Sequence, residues 1–363
     1  MKIAVNTRFY QQKNTGIHNY TKSLYTSLQK IDVANEYVFL QTQTNKILGP
    51  TKIINLPNNP VGELLFDNLL INKLLSDEKP QILHAPCYVL PIIKLPKIKY
   101  VVTIHDLSFK VYPEFMETKL RYYYDLAVGH SAKIADVILA DSENTKNDIM
   151  KYFKVSESKI YILYPSLESE YISQNKYFTN GINFPYILTT TTHSRRKNIF
   201  NTIRAFGSSK HSNETKLIIC GLITNKHNEE LKKLISSLGL NNKVVIKGYV
   251  TTQQLLELYD NAELYIYSSF YEGFGLPVIE SMSRGCLVIS SNTSSLPEIN
   301  TNKVFTFDPT NVSEITERID YSIELSEIEK KRISLKNKKF ALEFNPDRMA
   351  REMLKIYDRC KNN

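Results

Sequence analysis

Short apolar runs rich in β-branched and aromatic residues alternate along this chain with longer stretches of helical period. In the first half, Ile3–Asn6, Tyr37–Leu40, Ile53–Leu56, Ile82–Ala85, Tyr100–His105, Val137–Ala140 and Ile160–Leu163 read as strands. The second half offers Tyr186–Thr190, Leu217–Cys220, Val244–Ile246, Leu264–Tyr267, Leu287–Ser290 and Val304–Phe307. Helical spacing lies between most of them, as in Asn144–Phe153, Asn198–Phe206, Asn228–Leu238 and Thr252–Tyr259. Strands that are apolar throughout and separated by helices predict parallel sheets covered on both faces. Two such sets in 363 residues predict two doubly wound domains. The polar stretch Glu168–Phe184 is the expected linker. In open parallel sheets ligands bind at the carboxyl ends of strands, so functional residues are expected there, in a cleft between the domains.

The most informative of these strand ends is Tyr271-Glu-Gly-Phe-Gly-Leu-Pro-Val-Ile-Glu280. It follows the Leu264–Tyr267 strand and runs into a helix expected over Pro277–Arg284, with Pro in the first turn and Gly285 just past the end. Such a loop aims backbone N–H groups and a positive helix end at an anion. Glu272 and Glu280 flank it and are placed to bind hydroxyl groups, and a phosphorylated sugar presents both features.

Thr189 to Asn198 ends the first strand of the second half with Arg195, Arg196 and Lys197. Alone it reads more readily as a basic surface turn. Beside the Glu272 loop it reads as a diphosphate site, with forked arginine and point-charge lysine. In the first half, Val101–His105 ends in His105-Asp106, where the acid either orients the histidine or caps the next segment. His84 ends a strand similarly. Arg8 and the loop Asn14–Tyr20 follow the first strand, and Gly16 there opens a helix.

Composition narrows the function. Hydrophobic content of 42% and charged content of 23% fit a globular protein, and no apolar run reaches membrane-spanning length. The N-terminus reads as a first strand rather than a signal peptide. Four dispersed cysteines, Cys87, Cys220, Cys286 and Cys360, read as reduced thiols of a cytoplasmic protein. The net charge of +9 is concentrated from Lys330 to Lys361. It is compatible with a solvated helix face, an acidic substrate or an anionic lipid surface, and the aromatic, basic stretch Lys119–Tyr124 favours the last. No zinc-finger or RNP-like segment supports nucleic acid as a partner. There is no dinucleotide or P-loop signature, no nucleophile elbow and no Asp-x-Asp metal clamp.

These segments together resemble the retaining glycosyltransferases of family 4. The resemblance runs nearly end to end: Gly16-Ile17, Thr103–Leu107, Ala140–Glu143, Arg196-Lys-Asn198, Gly248-Tyr-Val250, Glu272–Glu280 and Ser294–Glu298. It implies an α/β GT-B fold: two facing Rossmann-like doubly wound domains, an inter-domain cleft and a C-terminal crossover helix. The expected division is 1–170 on the acceptor side, 171–345 for the nucleotide sugar, and 346–363 returning to the first domain. Asp347–Cys360 has the length and periodicity for that return.

The resemblance also assigns roles. Arg196 and Lys197 hold the donor diphosphate, and Glu280 holds the nucleotide ribose. Glu272 and the amides of Phe274, Gly275 and Leu276 hold the transferred sugar. His105 contacts that sugar near the reacting carbon, Tyr249 and Val250 border the nucleobase, and Gly16 brings backbone near the donor. No metal and no cofactor are expected. The Arg-Lys-Asn form is typical of a subgroup resembling bacterial mannosyltransferases, and points to GDP-mannose as donor. The expected acceptor is a lipid-linked glycan or oligosaccharide of surface polysaccharide assembly, such as lipopolysaccharide O-antigen, met at the inner face of the cytoplasmic membrane. Three positions depart from the family pattern: Thr191 where many members carry arginine, Phe344-Asn345-Pro346 without a tryptophan, and Ser294-Ser295 in place of a frequent Gly-Gly. A nucleotide-sugar epimerase of the same architecture and a non-enzymatic basic binding protein are the alternatives.

Overall fold

The computed structural model describes residues 1–8, 16–41, 51–53, 70–173, 182–192, 194–300 and 302–362. The chain divides into two compact units, Met1–Glu168 with Asn345–Asn363, and Ser169–Phe344.

Among the described residues, unit 1 holds seven parallel strands: β1 Lys2–Asn6, β2 Glu36–Gln41, β3 Thr51–Ile53, β4 Ile82–Ala85, β5 Lys99–Ile104, β6 Val137–Ala140 and β7 Ile160–Ile162. Their order is β3-β2-β1-β4-β5-β6-β7, so the winding direction reverses between β1 and β4. Ile3 registers with Tyr37 on one side and Ile82 on the other. Alternate residues of each strand face opposite layers. Ala4, Val38, Leu83, Val102 and Ile138 pack with Val128, Ala132 and Ile149 of the helices Thr118–Ile134 and Glu143–Phe153. Ile3, Val5, Phe39, Ile82 and Leu139 pack instead with Tyr20, Leu24 and Leu28 of the helix Gly16–Ile31. Met349, Met353 and Tyr357 of the helix Pro346–Asn362 complete that second layer. Of the strand expected over Ile53–Leu56, Ile53 lies in β3, and residues 54–56 lie outside the described ones.

Among the described residues, unit 2 holds six parallel strands: β8 Tyr186–Thr192, β9 Lys216–Leu222, β10 Val244–Gly248, β11 Leu264–Tyr267, β12 Val288–Ser291 and β13 Thr306–Phe307. Their order is β10-β9-β8-β11-β12-β13, with the reversal between β8 and β11. Ile187, Leu217, Ile219, Leu264, Ile266 and Ile289 form its core with Ile203, Phe206, Ile315 and Ile319. Strand pairing begins later than the expected Val304, because Asn302 caps a single 3-10 turn over Lys303–Phe305. Ser169–Ile172, the start of the expected linker, forms a helical turn, and residues 174–181 lie outside the described ones. That turn is held to the helix Leu276–Ser283 by Ser283 Oγ, which donates to the Tyr171 carbonyl at 3.1 Å. The neighbouring Arg284 donates to the Ser173 carbonyl and forms a buried two-point pair with Asp260, at 2.8 and 2.7 Å. A forked pair of this kind has both charges hydrogen-bonded, which is what burial of two ions requires.

Candidate functional site

The winding reverses between the neighbouring strands β8 and β11, and in open parallel sheets such a switch point, at the carboxyl ends of the strands, is where ligands bind. The first loop, after β8, is short. Ser194 Oγ accepts from the Arg196 N–H at 3.3 Å and starts a single turn over Arg195–Lys197. Asn198 then takes a left-handed conformation, φ 55°, and leads into the helix Ile199–Ser208. Its side chain donates to the Pro309 carbonyl at 2.7 Å, which fixes the reversal. The second loop, after β11, is tied to the first. The Phe270 N–H donates to the Arg196 carbonyl at 2.9 Å, and Ser269 Oγ donates to the same oxygen at 3.1 Å.

This bracing brings two cations onto one carboxylate. Lys197 Nζ lies 2.8 Å from Glu272 Oε1, and Arg196 Nη1 lies 3.0 Å from Oε2. Arg196 also donates to the Tyr271 carbonyl. Tyr267, the last residue of β11, joins the group: its hydroxyl accepts from Lys197 Nζ at 2.5 Å and donates to Glu272 Oε1 at 3.0 Å. Burial alone would raise the Glu272 pKa. The charges of Arg196 and Lys197 outweigh it and bring the carboxyl down to about 2. Two cations and one carboxylate leave the cluster with one net positive charge, which suits an added anion. Arg195, the third cation of the segment, is not part of it. Its guanidinium is exposed and pairs with Glu230 at 3.0 Å.

Past Glu272 the chain enters the helix Leu276–Ser283 through Gly275 at φ 106°. A Cβ there would fall 2.6 Å from Leu296 Cδ2, so only glycine fits both the conformation and the space. Phe274 is buried against Phe344, and Leu276 begins the helix. Glu280 lies one turn further on and half-buried. Its charge acts on Tyr265, whose hydroxyl is pushed well above its ordinary range mainly by burial. Tyr249 is exposed and Val250 half-buried, following β10.

Unit 1 carries the other two expected residues, His105 and Gly16. His105 directly follows β5 and is nearly buried. Its Nδ1 lies 2.8 Å from Asp141 Oδ2, and its Nε2 lies 2.9 Å from the Pro86 carbonyl. A carbonyl only accepts, so Nε2 donates to Pro86, while Nδ1 pairs with the buried Asp141 carboxyl, whose own pKa burial raises. Burial works against the charged ring, but the charge and hydrogen bond of Asp141 outweigh it and raise the His105 pKa. Tyr20 and Tyr88 stand edge-on to the ring at 4.8 and 5.5 Å. Asp106 does not orient His105; it caps the next segment by accepting from the Ser108 N–H at 2.8 Å. His84 is not a site residue but a core one, fully buried between Tyr25, Tyr357 and Thr103. Gly16 is exposed at the first position of its helix, with Asn14 and Thr15 outside the described residues.

Sequence reasoning gives no role to Tyr267, or to Asp141 within the resembling segment Ala140–Glu143. Tyr267 looked like an ordinary strand aromatic. Asp141 directly follows β6, the neighbour of β5, and its place beside His105 appears only once the strand order is known.

Comparison with known proteins gives these residues a family. The pattern for group 1 glycosyl transferases matches residues 175–340, and that for glycosyltransferase family 4 matches residues 20–171. O-antigen chain mannosyltransferase B of Escherichia coli is 30% identical over 261 residues, covering 69% of this chain and 67% of that protein. O-antigen chain mannosyltransferase RfbU of Salmonella typhimurium is 29% identical over 209 residues, covering 57% of this chain and 56% of its own. In solved structures the same fold occurs in a glycosyltransferase from Rickettsia africae, with TM-score 0.74 and 19% identity over 100% of this chain and 99% of that one. HepE from Anabaena in complex with UDP has TM-score 0.75 and 16% identity, over 99% of this chain and 100% of its own. With its two parallel α/β sheets of GT-B type, this chain belongs to the family 4 glycosyltransferases and is a glycosyltransferase resembling bacterial mannosyltransferases.

Proposed function

We propose that this enzyme transfers a hexose from a nucleotide diphosphate sugar, GDP-mannose, to a hydroxyl of a lipid-linked or oligosaccharide acceptor in bacterial surface polysaccharide synthesis. The anomeric configuration is retained and no metal ion takes part. The observation that carries this reading is the Arg196–Lys197–Glu272 cluster at the β8/β11 switch, beside the start of the Leu276–Ser283 helix. A net positive cluster next to a positive helix end suits a diphosphate, and the carboxylate suits sugar hydroxyls. The mannose donor is supported by the O-antigen mannosyltransferases the chain resembles. Guanosine as the base is supported by the Arg-Lys-Asn form of the motif.

In the reaction the bond from the anomeric carbon to the diphosphate oxygen breaks, and its electron pair stays on that oxygen. The acceptor oxygen bonds the carbon from the same face, and its proton passes to the departing phosphate. Arg196 and Lys197 stabilise the negative charge that develops there, the largest single kind of contribution in such sites. Glu272 and the Phe274, Gly275 and Leu276 amides hold the sugar, Glu280 the ribose, and Tyr249 and Val250 border the base. Gly16 lets backbone approach the donor. His105 contacts the sugar near the reacting carbon, its ring fixed by Asp141 and Pro86. No carboxylate need form a covalent intermediate, unlike in a retaining glycosidase.

Thermal unfolding with GDP, UDP, ADP and dTDP tests the base. At a hundredfold excess over Kd a ligand adds about 2.7 kcal/mol of stability, and GDP is expected to shift the transition most. Product analysis with GDP-mannose and a lipid-linked oligosaccharide is expected to show an α-linked mannose, with turnover unchanged by a chelator. Stabilisation by UDP in preference to GDP rejects the donor, and a β-linked product rejects retention.

A further inference from the structure

Three consecutive hydroxyl residues lie beneath the Glu272 loop. They leave β12 together as Thr293, Ser294 and Ser295, and each meets that loop's backbone. Thr293 Oγ1 donates to the Phe270 carbonyl at 3.0 Å. Ser294 Oγ accepts from the Glu272 N–H at 2.9 Å. Ser295 Oγ lies 2.9 Å from both the Glu272 and Phe274 carbonyls, shares its one proton between them, and is fully buried. Leu296 and Ile299 of the helical turn that follows fill the space Gly275 leaves open. The loop bearing the carboxylate therefore has its backbone form set from below, one backbone group at a time.

Ser294 makes its contact from a left-handed conformation, φ 51°. That region suits glycine and costs a side chain free energy. A frequent family pattern has Gly-Gly at these two positions. Here the hydroxyl at Ser294 holds the amide of the residue whose carboxylate meets Lys197 and Arg196.

We propose that Ser294, with Thr293 and Ser295, is a positioning residue that sets the Glu272 carboxylate for the transferred sugar, and that its strained backbone is kept for that purpose rather than for stability. The inference rests on the donor-site reading of the Glu272 loop.

The test compares Ser294→Gly, Ser294→Ala and Glu272→Gln in the full-length protein. Donor cleavage is read as GDP release from GDP-mannose with water as acceptor, GDP affinity by calorimetry, and stability by thermal unfolding. Ser294→Gly removes the hydroxyl and the left-handed penalty together, so its melting temperature should stay level or rise. Its kcat should fall about tenfold, the scale of one lost hydrogen bond at the sugar, with GDP affinity unchanged. Ser294→Ala should lose the same kcat and also melt lower, because it keeps the strain. A Ser294→Gly enzyme with wild-type kcat overturns the proposal. So does one that melts lower than wild type, since only a structural role for the hydroxyl explains that loss. If Glu272→Gln leaves GDP release unchanged, or wild type releases none, the donor-site reading itself fails. A silent Ser294→Gly beside a crippled Glu272→Gln leaves that reading standing and rejects only the positioning role.

Discussion

Lys197 and Arg196 neutralise one carboxylate between them, so their removal has two separable costs. The proposed diphosphate loses a charge-assisted partner, worth about 1.5–3 kcal/mol. Glu272, buried, also loses part of what keeps it ionised. Lys197→Ala and Arg196→Ala are each expected to lower kcat/KM for the donor about ten- to a hundredfold, with the fold retained by circular dichroism. Wild-type turnover in both would remove the diphosphate assignment. The two glutamates should divide differently. Glu280→Ala should chiefly raise KM, because a ribose contact is equal in ground and transition states. Glu272→Ala should chiefly lower kcat, because its sugar contact strengthens as charge develops. Equal effects on both parameters in both variants would end that division. Glu272, Arg196 and Lys197 were legible in the sequence because each lies in the short segment between a strand and the helix that follows it, and strand ends are where parallel sheets bind ligands. Tyr267 was not. A strand tyrosine points to one face or the other, and only the register of β11 beside β8 decides that this one reaches Lys197.

Among the elements, the helix Thr118–Ile134 stands apart for what it leaves uncovered. Lys119, Tyr122, Tyr123, Leu126 and Lys133 are exposed and follow helical spacing, and Leu126 is 76% exposed. Ile92 and Ile93 are exposed beside them, in a segment joined to the helix by His130 Nε2, which donates to the Ile92 carbonyl at 3.0 Å. No helix among the described residues is long and apolar enough to cross a membrane. Apolar side chains ringed by lysines suit an anionic bilayer surface instead, where each basic residue contributes about 1 kcal/mol at low salt. The basic residues that cluster near the C-terminus in sequence do not form one such element. Those from Lys330 to Lys339 belong to unit 2, and those from Arg348 to Lys361 to unit 1. Cosedimentation is expected with vesicles containing phosphatidylglycerol, and not with neutral ones, and it should weaken as salt screens the exposed charges. Leu126→Glu should reduce it several-fold while leaving GDP release from GDP-mannose intact. Indifference to anionic vesicles at low salt would mean the exposed face serves something else. Periodicity announced the strands and most of the helices, but a helix's buried face and its bare face look alike until its neighbours are known.

At the scale of the whole chain, the residues before Ser169 and after Phe344 fold together, and the last helix adds Tyr357 to the core of unit 1. Its hydroxyl lies 2.9 Å from His84 Nδ1 and 3.0 Å from the Tyr25 hydroxyl, while His84 Nε2 lies 3.1 Å from Thr103 Oγ1. The chain terminus is thus fastened to β4 and β5 through one fully buried imidazole. Burial, with a lesser contribution from the charge of His105, lowers the His84 pKa to about 3. In the unfolded chain it titrates near 6.5, so the unfolded state takes up a proton first as pH falls. His84 therefore gives stability that is full above about 6.5 and drains away toward 3, at about 1.4 kcal/mol per pH unit. His105 runs the other way. Its folded pKa is raised, so its contribution is complete below about 6.5 and is lost only as pH climbs through the folded value. Glu272, at about 2, adds its own loss only below about 4.5. Between pH 6.5 and 5 the slope should then belong to His84, about 2 kcal/mol or roughly 4–8 °C for a unit of this size. His84→Gln can still hydrogen-bond Tyr25, Tyr357 and Thr103 but cannot titrate. It should start less stable at pH 7 and lose little further on going to pH 5. If wild type and His84→Gln lose the same melting temperature over that window, the buried imidazole is not what makes this fold acid-sensitive.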